Sequence, residues 1–221
     1  MAYDLEEQEQ LAELKAFWNK YGNLLTWVLI IALASFAGYN FWTSHQRSQA
    51  ADASVLYEDL QKSLLEKDNA KVQRVAADIE SKFGSTAYGQ MAALAAAKGA
   101  FDANDLKVAK AQLQWAIEHG NDEYKSIAKL RLAGVLLDEK AYDEGLKLLA
   151  TEFAPQFAGS VADRKGDILV AQNKLADART AYLAALAAMG ERSPGRKLVE
   201  VKLESIGGVA PAAVTVTKSP A

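Results

Sequence analysis

The sequence predicts an all-α protein: a single transmembrane helix followed by an array of antiparallel helix pairs. Three observations predict it. Leu24–Trp42 is uncharged and predominantly apolar over nineteen residues, close to the roughly 20 a helix needs to cross a bilayer core. No Gly or Pro interrupts residues 39–83, so a helix entered in the membrane is free to continue. Beyond that run, small residues recur at matching places in three successive stretches, as stacked helix pairs require.

Residues 1–21 read as a cytoplasmic amphipathic segment. Asp4 and Glu7 have the spacing of a capping box, and Leu11, Leu14, Phe17 or Trp18, and Tyr21 recur at helical intervals. Residues 22–43 form the span, flanked by Trp18 and Tyr21 on one side and Tyr39 and Trp42 on the other, the aromatic pair expected at each interface. A secretory signal has a short basic start. This start is about twenty residues long and carries Asp4, Glu6, Glu7, Glu9 and Glu13, so the span reads as an uncleaved anchor in the lipid bilayer. Lys15 and Lys20 precede it and Arg47 is the nearest cation after it, a bias that places the amino terminus in the cytoplasm and the large domain outside. Within the span Ala34 and Gly38 are four residues apart, with Ser35 and Ala37 beside them. That small face allows close approach of a partner helix.

Residues 44–84 read as a stalk and a degenerate helix pair, the pair occupying Val55–Phe83. The repeats proper, with a capping helix, occupy residues 85–207. In the first, Ala97 precedes a turn at Asn104-Asp105, followed by Leu106, Ala109, Leu113 and Ala116. In the second, Ala133 precedes Glu139-Lys140, followed by Tyr142, Gly145 and Leu149. In the third, Gly166 precedes Gln172-Asn173-Lys174, followed by Leu175, Ala178, Tyr182 and Ala185. Ala109, Gly145 and Ala178 are 36 and 33 residues apart, close to the ~34 of tetratricopeptide repeats. Two helices pack at a normal distance only if small side chains meet at their crossing point, with large ones filling the gaps around it. The second repeat departs from this at Glu152, where a small residue is expected. Ser193-Pro194 opens the capping helix, with Pro at its first position and Leu198, Val201 or the stem of Lys202, and Leu203 to Ile206 as its apolar stripe. Residues 208–221, with two prolines and no helical period, read as a disordered tail.

The composition excludes several functions. The formal charge is −3 with no block of Lys or Arg, which argues against nucleic acid as a partner. Cysteine is absent and only His45 and His119 are present, so no zinc or haem set and no cofactor is expected. There is no glycine-rich phosphate loop, nucleophile elbow or HExxH. Asp122-Glu123 and Asp143-Glu144 sit at helix starts, where negative charge suits the dipole. The chain therefore reads as a binding protein, not an enzyme. If the repeats align as above, Met91, Leu94, Phe101, Ile127, Leu130 and Leu137 on the first helices of the pairs form the candidate partner-binding face.

Residues 8–22 (QEQLAELKAFWNKYG), the exit segment NFWTSHQ at 40–46 and the repeat at 161–186 together resemble the YfgM-type ancillary subunits of the bacterial SecYEG translocon. The resemblance extends over most of residues 1–206 and leaves the tail outside. It implies a single-span inner-membrane protein with a periplasmic repeat domain. It also implies association with SecYEG and a PpiD-like periplasmic chaperone, and chaperone-like assistance to secreted client proteins as they emerge. The alternative is a structural scaffold of another bacterial envelope complex, since helical repeats serve there as well.

Overall fold

The computed structural model describes residues 3–209, with side chains from residue 9 onward. The Asp4–Glu7 capping side chains and the tail from residue 210 lie outside the described residues. The chain divides into two compact units, one ending at Ala51 and the other beginning at Asp52. Every regular element among the described residues is helical.

Helix α1 (Tyr3–Leu65) is uninterrupted for 63 residues. Among the described residues it is the one helix long and apolar enough to cross a membrane. Its few hydroxyls need no outside partner. Thr26 donates to the Gly22 carbonyl at 2.7 Å, Ser35 to Ile31 at 2.8 Å and Thr43 to Tyr39 at 3.0 Å. These three hydroxyls are thus satisfied within the helix, as an apolar surrounding demands. The Trp18 ring folds over Gly22, where an added Cβ would lie 3.2 Å from three ring atoms.

The second unit is built from repeated turns. Helices α2 (Asn69–Phe83), α3 (Ala87–Asp102), α4 (Leu106–His119), α5 (Asp122–Asp138), α6 (Tyr142–Leu149), α7 (Ala158–Ala171) and α8 (Leu175–Ala188) follow in order, with a single 3-10 turn at Pro155–Phe157 and a last helix α9 (Arg196–Ser205). The first helix of each pair ends the same way. Lys67, Asn104, Lys140 and Asn173 take positive φ of 57° to 61°. The next residue's N–H then reaches back five positions: Asp68 to Ser63, Asp105 to Ala100, Ala141 to Leu136 and Lys174 to Leu169, at 2.8–3.0 Å. This is a Schellman stop, in which a left-handed residue turns the chain so that orphan carbonyls find donors. Asp68 and Asp105 then cap the second helix by accepting from Lys71 N–H at 2.9 Å and Val108 N–H at 3.1 Å.

The stops at 67, 104, 140 and 173 show that the end of α1 and α2 form a helix pair with the same turn as the three that follow. Small residues lie at the crossings. Ala97, Ala109, Ala116, Ala133, Ala178 and Ala185 are 0–3% exposed. A Cβ on Gly145 would come within 2.9 Å of Ile168 Cδ1, and one on Gly166 within 2.4 Å of the Tyr182 ring. The cores run along the array instead of forming one centre. Leu60, Val72, Ile79 and Ala92 join α1, α2 and α3; Leu94, Leu113, Ala128 and Val135 join α3, α4 and α5; Ala133, Leu149 and Ile168 join α5, α6 and α7; Leu169, Tyr182, Leu186, Val199 and Leu203 join α7, α8 and α9. Each pair contacts its neighbours, as in a solenoid.

Two details depart from the sequence reading. Helix α6 stops at Leu149, so Glu152 lies beyond it, exposed, and no crossing constrains its size. Its carbonyl instead accepts from Lys129 Nζ at 2.8 Å. Pro194 is not the first helical residue of α9, which starts at Arg196 with Gly195 before it. The buried stripe of that helix is Val199 and Leu203, while Leu198 and Val201 are exposed. The register is set by Arg196, which faces inward to donate to the Leu186 and Met189 carbonyls at 2.7 and 3.2 Å, closing the end of α8.

Candidate functional site

The first helices of successive pairs meet side by side, α3 touching α5 and α5 touching α7. Between them lies a cavity of about 330 Å³. Helix α3 contributes Ala97, Lys98 and Phe101, α5 contributes Arg131, Gly134, Val135 and Asp138, and α7 contributes Arg164, with Leu113 of α4 beneath. Phe101 is 41% exposed, an aromatic ring left open at the groove edge. Nearest to where a Cβ on Gly134 would stand is the Arg164 guanidinium, at 3.6 Å. The absence of a side chain there keeps the floor low between Arg131 and Arg164.

The cations are held from below. Arg131 donates through Nη1 to the Leu94 carbonyl at 3.2 Å. The residue is open to solvent along the groove, yet enough protein surrounds its guanidinium that desolvation lowers its pKa from the usual arginine value. Arg164 reaches Asp167 at 3.5 Å. Lys98 pairs with Asp102 one turn along α3. Asp138 is the one carboxylate among the lining residues.

Of the six residues expected on this face, Phe101 lines the cavity. Leu94 is 6% exposed and belongs to the core between α3, α4 and α5. Ile127 is half-buried against the same cluster, and Leu130 and Leu137 are half-buried against the next one. Met91 is half-buried on α3. Helical spacing marks apolar residues but does not say which edge of the stripe the neighbouring pair covers. The groove residues that escaped it are Lys98, Arg131, Gly134 and Arg164. A signal for two of them was present: Arg131 and Arg164 each stand nine residues before the left-handed turn residue of their pair, Lys140 and Asn173. Ala34 and Gly38 lie on the exposed surface of α1, and a Cβ on Gly38 would meet nothing of this chain within 4 Å.

The closing helix is fixed by charge as well as packing. Lys202 Nζ lies 2.8 Å from Asp163 and 2.8 Å from Asp167, and the Tyr182 hydroxyl donates to Asp167 at 2.9 Å. Burial pushes the Asp163 carboxyl up, partly offset by Lys202, and burial pushes the Tyr182 hydroxyl up as well. Arg179 donates twice to the Ile206 carbonyl at 2.6 and 2.8 Å, sealing the end of α9.

Comparison with known proteins matches residues 15–208 to the family described as tetratricopeptide repeat-like domain. The chain is 32% identical over 208 residues to the ancillary SecYEG translocon subunit of Neisseria gonorrhoeae, covering 93% of this chain and 100% of that protein. It is 30% identical to the protein of that name from Haemophilus influenzae, over 82% of this chain and 89% of the relative. It is 31% identical to that of Escherichia coli, over 80% and 85%. Span, turns and repeats all fall within the aligned length, and the chain belongs to the ancillary SecYEG translocon subunit family, built on a tetratricopeptide repeat-like domain.

Proposed function

We propose that this protein is a non-catalytic inner-membrane accessory subunit of the Sec translocon. Its amino terminus is cytoplasmic and its repeat domain periplasmic. There it binds partner proteins, a PpiD-like chaperone among them, and assists secreted chains as they emerge. The reading is carried by similarity that runs through anchor and repeats alike to proteins named ancillary SecYEG translocon subunits, over the whole length of one of them. The groove on the first helices, with an open aromatic ring beside cationic side chains, supports partner binding. The small face at Ala34 and Gly38 is proposed to pack against a membrane helix of the partner.

Co-purification from detergent tests this reading. Translocon subunits recovered with the full chain support it; recovery of unrelated envelope proteins alone replaces it with the scaffold role. Gly38→Leu is expected to lower recovery of membrane partners, and unchanged recovery would leave α1 an anchor only. A reporter active only outside the cytoplasm, fused after residue 206, is expected to be active. A cytoplasm-only reporter active there would invert the topology.

A further inference from the structure

Helix α9 ends as the first helix of a pair does. Gly207 takes φ 77°, thirty-four residues after Asn173, and the Gly208 N–H reaches back to the Leu203 carbonyl at 2.9 Å. Positions on α7 and α9 are therefore matched by their distance from the stop. Asp163 and Asp167, ten and six residues before Asn173, are the α7 side chains that hold Lys202 of α9 at 2.8 Å. The residues ten and six before Gly207 are Lys197 and Val201. They mark the face on which a further first helix would stack, and among the described residues no helix follows α9. The terminal helix of a solenoid ordinarily turns a polar face outward. Here Val201 and Leu198, one turn apart, are each more than half exposed. The charges beside them are ordered. Lys197, four residues before Val201, is exposed, and its acceptor Glu200, at 3.5 Å, is already held by Arg196 at 3.2 Å. Glu204, three residues after Val201, is exposed as well. Lys197 and Glu204 are seven residues apart, so both lie on one flank of the helix. About a two-fold axis beside Val201, two antiparallel copies of α9 set each Lys197 against the partner's Glu204.

We propose that the open end of the array, at α9, associates with α9 of a second copy of this chain, antiparallel about a two-fold axis at Val201. Leu198 and Val201 supply the apolar contact, and Lys197 and Glu204 set direction and register. None of these four residues lines the cavity between α3, α5 and α7, so the association needs no other protein. The face of one ten-residue helix is smaller than the roughly 1,200–2,000 Å² of a stable interface. The association is therefore weak, and copies anchored in one bilayer gain from their raised effective concentration.

Because the chain has no cysteine, one substitution supplies its only thiol. Membranes carrying two differently tagged copies of the full chain are oxidised, and the second tag is sought in the precipitate of the first. Val201→Cys is expected to give disulfide-linked pairs, and Leu183→Cys, exposed on α8, few. Adding Lys197→Glu to Val201→Cys is expected to weaken the association about tenfold, since two attractive pairs become repulsive. Adding Glu204→Lys as well is expected to restore it, which excludes loss of folding as the cause. Equal yields from positions 201 and 183, or adducts of position 201 with other proteins alone, would overturn pairing with a second copy. A yield that Lys197→Glu leaves unchanged, or lowers without rescue by Glu204→Lys, would overturn the antiparallel arrangement.

Discussion

At the scale of single residues, three positions carry the account. Gly166 has no room for a side chain, because Tyr182 stacks where its Cβ would be, at 2.4 Å. Gly166→Ala is expected to cost about 1–3 kcal/mol through overpacking, read as a lower denaturant midpoint. Lys140 holds a left-handed conformation with φ 61°, which costs an L-residue with a Cβ free energy that glycine escapes. Lys140→Gly is therefore expected to stabilise by roughly 0.5–1 kcal/mol. Glu80 is half-buried in α2, and its Oε1 finds no hydrogen-bond partner among the described residues. Burial pushes its carboxyl up to about 7, against the opposing pull of His119. A folded-state value above the unfolded one means the folded chain binds more protons between about 4.5 and 7. Stability from this group is thus present at low pH and lost as pH rises through about 7. The unfolding temperature is expected to fall between pH 5 and 8, and Glu80→Gln to flatten that decline. A carboxyl oxygen buried without a hydrogen bond is invisible in a sequence, since Glu80 stands in an ordinary polar position of an amphipathic helix.

At the scale of elements, the helices and their turns were legible and their registers only partly so. The small residues at 109, 145 and 178 carried the period, because a helix crossing accepts little else. The Asn-Asp and Gln-Asn-Lys turns were legible for a related reason: asparagine tolerates the left-handed stop. Lys67 and Lys140 take the same conformation without the favoured residue, imposed by the packing of the helices on either side. Helix α9 begins two residues later than the sequence reading placed it, and Arg196 closes α8 by facing inward, which no apolar pattern reveals. The six apolar residues on the first helices were read as one face, yet the neighbouring pair covers much of it. Leu94→Ala is accordingly expected to cost about 2–5 kcal/mol as a core truncation. Phe101→Ala, at 41% exposure, should stay within ~0.5 kcal/mol while weakening partner binding. Thermal unfolding beside a binding assay on the same two variants checks the division.

At the scale of the whole molecule, a helix apolar enough to cross a membrane is followed by a repeat array whose proposed binding side is the groove on the first helices. Anchor, array and family were all legible in the sequence, because an uncharged apolar run and small residues recurring at 36 and 33 residues are patterns that survive wide divergence. The charge of the groove was not, because its cations come from three helices that only the fold brings together. The central claim is that partners meet the groove and not the outer helices. A photo-cross-linking amino acid placed at Phe101 in the groove, and separately at Leu183, exposed on α8 and outside the cavity lining, tests it directly in cells. The account predicts protein cross-links from position 101, to translocon subunits, a chaperone or secreted chains, and few from 183; cross-links from 183 with none from 101 would contradict it.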